Sequence, residues 1–241
     1  MKHAYYRAQR IKHDTPQILE INGFTKVLAF IPHPDDEAIG CGGLLSQLVA
    51  NNIAVKVILV SDGSGGGALP EGTADTRENE FLHSLKILGV HEYELWRLPD
   101  GQLDTLELLP SDIAHAVREY CPNIVLSPWY LDMHPDHSAV GYAVKQCADK
   151  GECDVLFYEV WSPVECTHIL DITESMEIKI KALEAHHTAL QYGHYLQALR
   201  GLATYRGLYL PFGAMIQYGE AYYFYRKKRS FFNALRSYLK S

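Results

Sequence analysis

The sequence predicts an α/β fold, a Rossmann-like three-layer sandwich with a mostly parallel central sheet and an elaboration at its C-terminal end. Three observations carry that expectation. From residue 27 onward, short β-branched or apolar runs alternate with longer amphipathic stretches, as repeated β-α-β units require. No internal repeat, low-complexity block or Pro/Ser-rich linker divides the 241 residues, a length that one large domain or two small ones can occupy. A content of 47% hydrophobic and 21% charged residues, with 18 Gly and 11 Pro dispersed along the chain, excludes disorder, collagen and coiled coil.

The elements follow in order. Residues 27–31 read as a buried strand and 37–51 as a helix. A second strand spans 55–60, and the helix predicted at 74–88 ends at Gly89. Residues 93–98 make a third strand, 111–120 a helix just after Pro110, 124–127 a strand and 138–148 another helix. The fifth strand is 155–158. Beyond it the pattern loosens into a long helix at 175–190, a shorter one at 195–205 and a late aromatic strand at 221–225. This divides the chain into an extension (1–26), one α/β domain (27–225) and a tail (226–241). Gly40, Gly42 and Gly43 fall inside the first helix pattern, where they cost stability unless the helix must approach the sheet closely.

Charge and cysteine usage narrow the function classes. A net charge of -7 gives no basic face for phosphate neutralisation, so no nucleic-acid partner is expected. Five scattered cysteines without a C-x-x-C pair favour neither a disulfide framework nor a thiolate zinc site, and point to a reducing, cytoplasmic setting. The basic N-terminus has no apolar run behind it, and no stretch approaches eighteen apolar residues, so neither a secretory signal nor a membrane span is expected. The tail carries six basic residues and no acidic one. As a helix it gathers Phe231, Phe232, Leu235, Tyr238 and Leu239 on one face, suited to packing on its own domain, to a second subunit in a homo-oligomer, or to peripheral contact with an anionic membrane.

Two segments concentrate metal-competent side chains: Pro32-His33-Pro34-Asp35-Asp36-Glu37 and Asp132-Met133-His134-Pro135-Asp136-His137. Each begins shortly after a predicted strand. Ligands of open parallel sheets bind beyond the carboxyl ends of the strands, so clusters a hundred residues apart can face one crevice. A catalytic zinc takes three protein ligands and leaves a fourth position for water; two His and one carboxylate meet that count, with acidic groups to spare for proton transfer. Capping of the following helix would account for the acidic residues, but not for His33 or the second cluster. The loop around Gly63, Gly65 and Gly67 matches a dinucleotide fingerprint only formally, because no helix N-terminus follows it directly; a loop that closes over substrate fits better.

The string AFIPHPDDEAIGCGG (29–43), with DMHPDHSAV (132–140) downstream, closely resembles the LmbE/PIG-L family of metal-dependent de-N-acetylases, which remove acetyl groups from N-acetylglucosaminyl conjugates. The similarity spans roughly residues 27–144 and includes the R-x-x-E segment Arg77-Glu78-Asn79-Glu80; weaker similarity continues at 181–186 and 220–222. The resemblance implies an LmbE-like fold and a small amino-sugar conjugate as substrate. It also implies a divalent ion, zinc or alternatively Fe2+ or another metal, held by His33, Asp36 and His137. It makes Asp35 the base and His134 the group that stabilises the oxyanion, with Asp136 orienting His134 and keeping it cationic. Arg77 would contact the sugar; its alternative is a surface ion pair with Glu80. Some family members place a Tyr two positions before the first His of H-P-D-H, where this chain has Asp132. His186 falls at a late family position near the active site, although its helix pattern equally suits a solvated or core histidine. Two other functions share the ligand set: a non-haem iron protein, and a carbohydrate-binding homologue without turnover.

Overall fold

The computed structural model describes residues 15–65, 70–213 and 215–227. Its elements are β1 (Gln17–Ile18), β2 (Lys26–Ile31), α1 (Asp36–Ala50), β3 (Ala54–Ser61), α2 (Thr73–Leu88), β4 (Glu92–Leu98), α3 (Leu109–Tyr120), β5 (Ile124–Pro128), α4 (Pro135–Asp149), β6 (Asp154–Tyr158), β7 (His168–Asp171), α5 (Met176–Glu184), α6 (His187–Leu190), α7 (Tyr195–Gly207) and β8 (Gly219–Tyr225). The strands form one sheet in the order β1-β7-β8-β6-β5-β2-β3-β4. Only β8 runs against its neighbours, β6 and β7; the other pairings are parallel. The expected mostly parallel sandwich is what the chain forms.

Alternation along the central strands builds two cores. Val27, Ala29 and Ile31 of β2 join α1, α2, α5 and α7 on one face of the sheet. Leu28 and Phe30 point the other way, into α3 and α4. The parallel strands are therefore apolar on both sides, which is why they read as continuous apolar runs. After β4 the chain crosses back to place β5 on the far side of β2. The crevice beyond the carboxyl ends of β2 and β5 is thus the point where strand order reverses. Both polar segments emerge there.

Helix α1 is broken in an informative way. Cys41 has φ -144° and ψ 19° inside the helix, which frees the amides that follow it. The Gly43 and Leu44 N–H groups donate to Glu220 Oε1 and Oε2 at 2.7 and 2.9 Å, while Lys179 Nζ donates to Ile39 O at 2.8 Å and to Glu220 Oε1 at 2.5 Å. A Cβ on Gly40 would lie 2.2 Å from the Tyr158 ring, so the helix does approach the sheet as the glycines suggested.

Three features depart from the periodicity. Strands β1 and β7, of two and four residues, are too short to leave a pattern, and β1 draws part of the 1–26 extension into the sheet. The helix expected at 175–190 is two helices, because His186, at φ -86° and ψ 64°, leaves the spiral with its ring buried. Helices α1 and α4 begin at Asp36 and Pro135, earlier than Glu37 and Ser138, so both ligand-bearing segments end within first turns. Tail residues 228–241 and loop residues 66–69 lie outside the described residues. Among the described residues, no helix is long and apolar enough to cross a membrane.

Candidate active site

The two segments converge. His33 Nδ1, Asp36 Oδ2 and His137 Nε2 form a triangle with edges of 3.2, 3.1 and 3.1 Å, and all three side chains are buried. Local structure delivers each of them. His33 follows β2 between two prolines; Asp36 opens α1; His137 stands in the first turn of α4 behind Pro135, whose missing N–H costs a helix nothing at that position. Behind the triangle, His33 Nε2 meets Asp136 Oδ2 at 3.0 Å and Asp100 Oδ1 at 3.1 Å. Both partners are carboxylates, so Nε2 carries the proton, and neutral His33 has its lone pair on Nδ1, facing the triangle.

Charge balances in this cluster through the histidines. Burial opposes protonation of His33, yet its hydrogen bonds to Asp100, Asp136 and Asp36 raise its pKa well above the ordinary value. His137 behaves likewise: against burial, the charge of Asp36 and the approach of Asp132 push it up to about 9. Asp36 is held far below the usual carboxylate range, against burial, by His137 and His33.

The donor set fits a divalent ion. Ligands on a tetrahedral ion at 2.0–2.1 Å lie roughly 3.3 Å apart, close to the edges found here. Two ring nitrogens and one carboxylate oxygen face one another, and one cation between them would satisfy a lone pair of each. His33 also belongs to two other groupings that could hold a metal ion, with His134 and His137 and with Asp100 and Asp136. Asp136 accepts the N–H groups of Gly101 and Leu103, at 2.8 and 2.9 Å, and Asp36 Oδ2 accepts the N–H of His33 at 2.9 Å.

Asp35 lies beside the triangle with φ 115°, a left-handed conformation that a non-glycine residue holds only when its surroundings impose it. Its N–H donates to Glu37 Oε2 at 3.1 Å, and Glu37 Oε1 is held by Ser84 Oγ at 2.5 Å and His186 Nε2 at 2.6 Å. His186 is thus a buried partner of Glu37. Burial first, and the Asp36 charge second, push the Asp35 carboxyl up to about 7, the range suited to a base at neutral pH.

Arg77 reaches into the same crevice. Its guanidinium donates to Gly63 O at 2.7 Å and Pro34 O at 3.0 Å, and lies 3.7 Å from Asp35 and 3.6 Å from Asp100. The surface pair with Glu80 does not form, because Glu80 Oε1 takes the N–H and Oγ1 of Thr188 instead.

For one expected pairing the structure places other partners. Asp136 binds His33 and the 101–103 backbone, not His134: residues two apart at a helix start project to different sides. Burial and the neighbouring His33 and His137 lower the His134 pKa, against the charges of Asp36 and Asp136, which raise it. The His134 ring still packs at 4.8 Å from His33 and 4.7 Å from His137, between centroids, and its buried Nδ1 has no hydrogen-bond partner. Two further carboxylates belong to the site. Asp100 follows the carboxyl end of β4 and was detectable by the same strand-end rule that singled out the two motifs. Asp132 lies 3.6 Å from His137 Nδ1 and accepts the N–H groups of His134, Trp161 and Ser162; only the fold gathers those partners.

Residues 28–148, which hold every site residue predicted from the sequence, match the family described as PIG-L, GlcNAc-PI de-N-acetylase. The chain belongs to the PIG-L family. Among PIG-L relatives it is 30% identical over 192 residues to the diacetylchitobiose deacetylase of Thermococcus kodakarensis, across 69% of this chain and 71% of that one. It is 26% identical over 182 residues to a probable N-acetyl-α-D-glucosaminyl L-malate deacetylase of Bacillus subtilis, across 67% and 82% of the two chains. Its fold is similar to that of the N,N'-diacetylchitobiose deacetylase from Pyrococcus horikoshii, with a TM-score of 0.75 at 22% identity over 94% of this chain and 93% of that one.

Proposed function

We propose that this PIG-L protein is a metal-dependent amide hydrolase that removes the acetyl group from an N-acetylglucosaminyl conjugate or a related N-acetyl amino sugar. The observation that carries this reading is the triangle of His33 Nδ1, Asp36 Oδ2 and His137 Nε2 with a further carboxylate, Asp35, beside it. A redox iron centre has no use for that extra base; amide hydrolysis does. Zinc is the ion we assign, on a set of two nitrogens and one oxygen.

When bound, the ion lowers the pKa of a water and polarises the amide carbonyl. The rest falls to the chain. Asp35 takes the proton of the water as its oxygen bonds to the acetyl carbon. His134, whose ring packs against those of His33 and His137, donates to the oxygen on which charge develops. As the C–N bond breaks, Asp35 returns the proton to the departing amine, leaving acetate and the free amino sugar. Arg77, already lying between Asp35 and Asp100, holds the sugar hydroxyls and counters the carboxylate charge. Asp100 and Asp136 fix the His33 imidazole, as carboxylates behind metal-binding histidines generally do, and Asp132 lies 3.6 Å behind His137 Nδ1.

The five cysteines are unpaired, and Cys41, Cys147 and Cys153 are buried, in keeping with a cytoplasmic enzyme. The chemistry at the crevice is independent of the membrane or subunit contact that the basic tail allows. The test is acetate release from a panel of N-acetylglucosaminyl conjugates, assayed anaerobically with defined metals. Release that needs a divalent ion but no oxygen is expected. Binding of the sugars without any acetate would overturn hydrolysis in favour of a carbohydrate-binding role.

A further inference from the structure

Next to the crevice lies a groove of about 470 Å³ that the proposed chemistry does not use. Its walls come from three places: Ile39 on α1, Trp161 after β6, and Tyr192, Tyr195, Leu199 and Leu202 on and before α7. Trp161 is 50% exposed and Tyr192 63%, large rings turned toward solvent and not into either core. Trp161 and Tyr195 meet edge to face, with centroids 6.2 Å apart.

The groove is joined to the crevice from two sides. Ile39 is one helical turn beyond Asp36, on the same side of α1. The Trp161 N–H donates to Asp132 Oδ2 at 3.1 Å, and the other oxygen of Asp132 faces His137. A sugar held at the crevice therefore presents its neighbouring substituent to these rings. The chemistry of the walls selects that substituent. Among the described residues lining the groove there is no Lys, Arg, Asp or Glu, and His194 is its one imidazole. The adjoining crevice is rich in carboxylates, and its guanidinium, Arg77, is engaged by Gly63, Pro34, Asp35 and Asp100. An anion placed here would face the carboxylates of the crevice with no Lys or Arg in the groove wall to balance it, whereas apolar surface would leave water for aromatic faces.

Building on the deacetylase reading, we propose that this groove binds the substituent attached to the amino sugar, and that the substituent is neutral and apolar, an alkyl or aryl group and not a carboxylate or phosphate.

The experiment uses the full-length, metal-loaded protein and three substrates: hexyl N-acetylglucosaminide, free N-acetylglucosamine and N-acetylglucosamine 1-phosphate. The hexyl glycoside is expected to exceed the free sugar in kcat/KM by ~10-fold or more, with the phosphate the poorest of the three. Trp161→Ala should bring the hexyl-to-free ratio toward one. Leu202→Glu, on a different element, should do the same and guards against a folding defect peculiar to the first variant. A native ratio near one, a ratio that neither variant changes, or a preference for the phosphate would overturn the proposal. Calorimetric binding of the hexyl glycoside separates this inference from the reading beneath it. If no substrate releases acetate but the hexyl glycoside binds and both variants weaken it, the groove stands and the deacetylase reading falls. If all three are deacetylated without preference, the groove assignment falls alone.

Discussion

At the scale of single residues, neighbours in sequence divide the work. Asp35 and Asp36 are adjacent, yet the left-handed backbone at Asp35 turns their carboxylates to different tasks. His33→Ala, Asp36→Ala and His137→Ala should each lose bound metal while staying folded, which elemental analysis with circular dichroism will check; full occupancy in two of the three would refute the ligand set. Asp35→Asn should keep the metal and lose rate on the order of 10²–10⁴-fold, read as kcat with the metal content measured in parallel. Asp136→Asn distinguishes two roles for one residue. Because Asp136 grips His33 Nε2, the variant should bind metal roughly 10–100-fold more weakly in a competition titration. Unchanged affinity with slowed turnover would restore the role of orienting His134.

At the scale of elements, the broken helix α1 is held by a buried ion pair between elements far apart in sequence. Glu220 accepts from Gly43, Leu44, Tyr222 and Lys179 together, so its carboxylate does the work of the missing helical carbonyls. Removing one partner of such a pair leaves an uncompensated charge, so Glu220→Ala should cost about 3–5 kcal/mol in denaturant unfolding. Glu220→Leu with Lys179→Met should cost less than the single change, because no bare ammonium remains; the freed Gly43 and Leu44 amides keep the recovery partial. A double variant weaker than Glu220→Ala would show that the charges themselves hold the kink.

At the scale of the whole molecule, folding brings Asp35, Asp36, Glu37, Asp100, Asp132 and Asp136 into one crevice, where raised histidines supply the compensating charge. An ion bound to the folded state alone relieves that concentration of charge and stabilises the fold by mass action. At a free concentration of ~100 Kd the gain is about 2.7 kcal/mol, which in a domain of this size raises Tm by roughly 5–10 °C. Titrating zinc into chelator-treated protein during thermal unfolding measures it. The rise should vanish in His137→Ala. An equal rise there would place the stabilising ion elsewhere.

What was legible from the chain alone is what local pattern controls. Continuous apolar runs marked β2, β3, β5 and β6, because strands covered on both faces have no polar side to interrupt them. The two polar segments could be singled out because each sits just beyond such a strand, and parallel topology sends those ends to one crevice; the family resemblance picked His33, Asp36 and His137 from them. Partnerships across long separations were not legible. That Asp136 serves His33 and not the nearer His134, that Arg77 turns to Asp35 and Asp100, and that His186 breaks a helix to reach Glu37 depend on where whole elements pack. Strands β1 and β7 leave too few residues for a period, and exist because β8 and β7 offer edges to pair with. A side chain's type and its immediate neighbours are written in sequence, whereas its hydrogen-bond partner is chosen by the packed core, which brings groups a hundred residues apart to within 3.0 and 3.1 Å of each other.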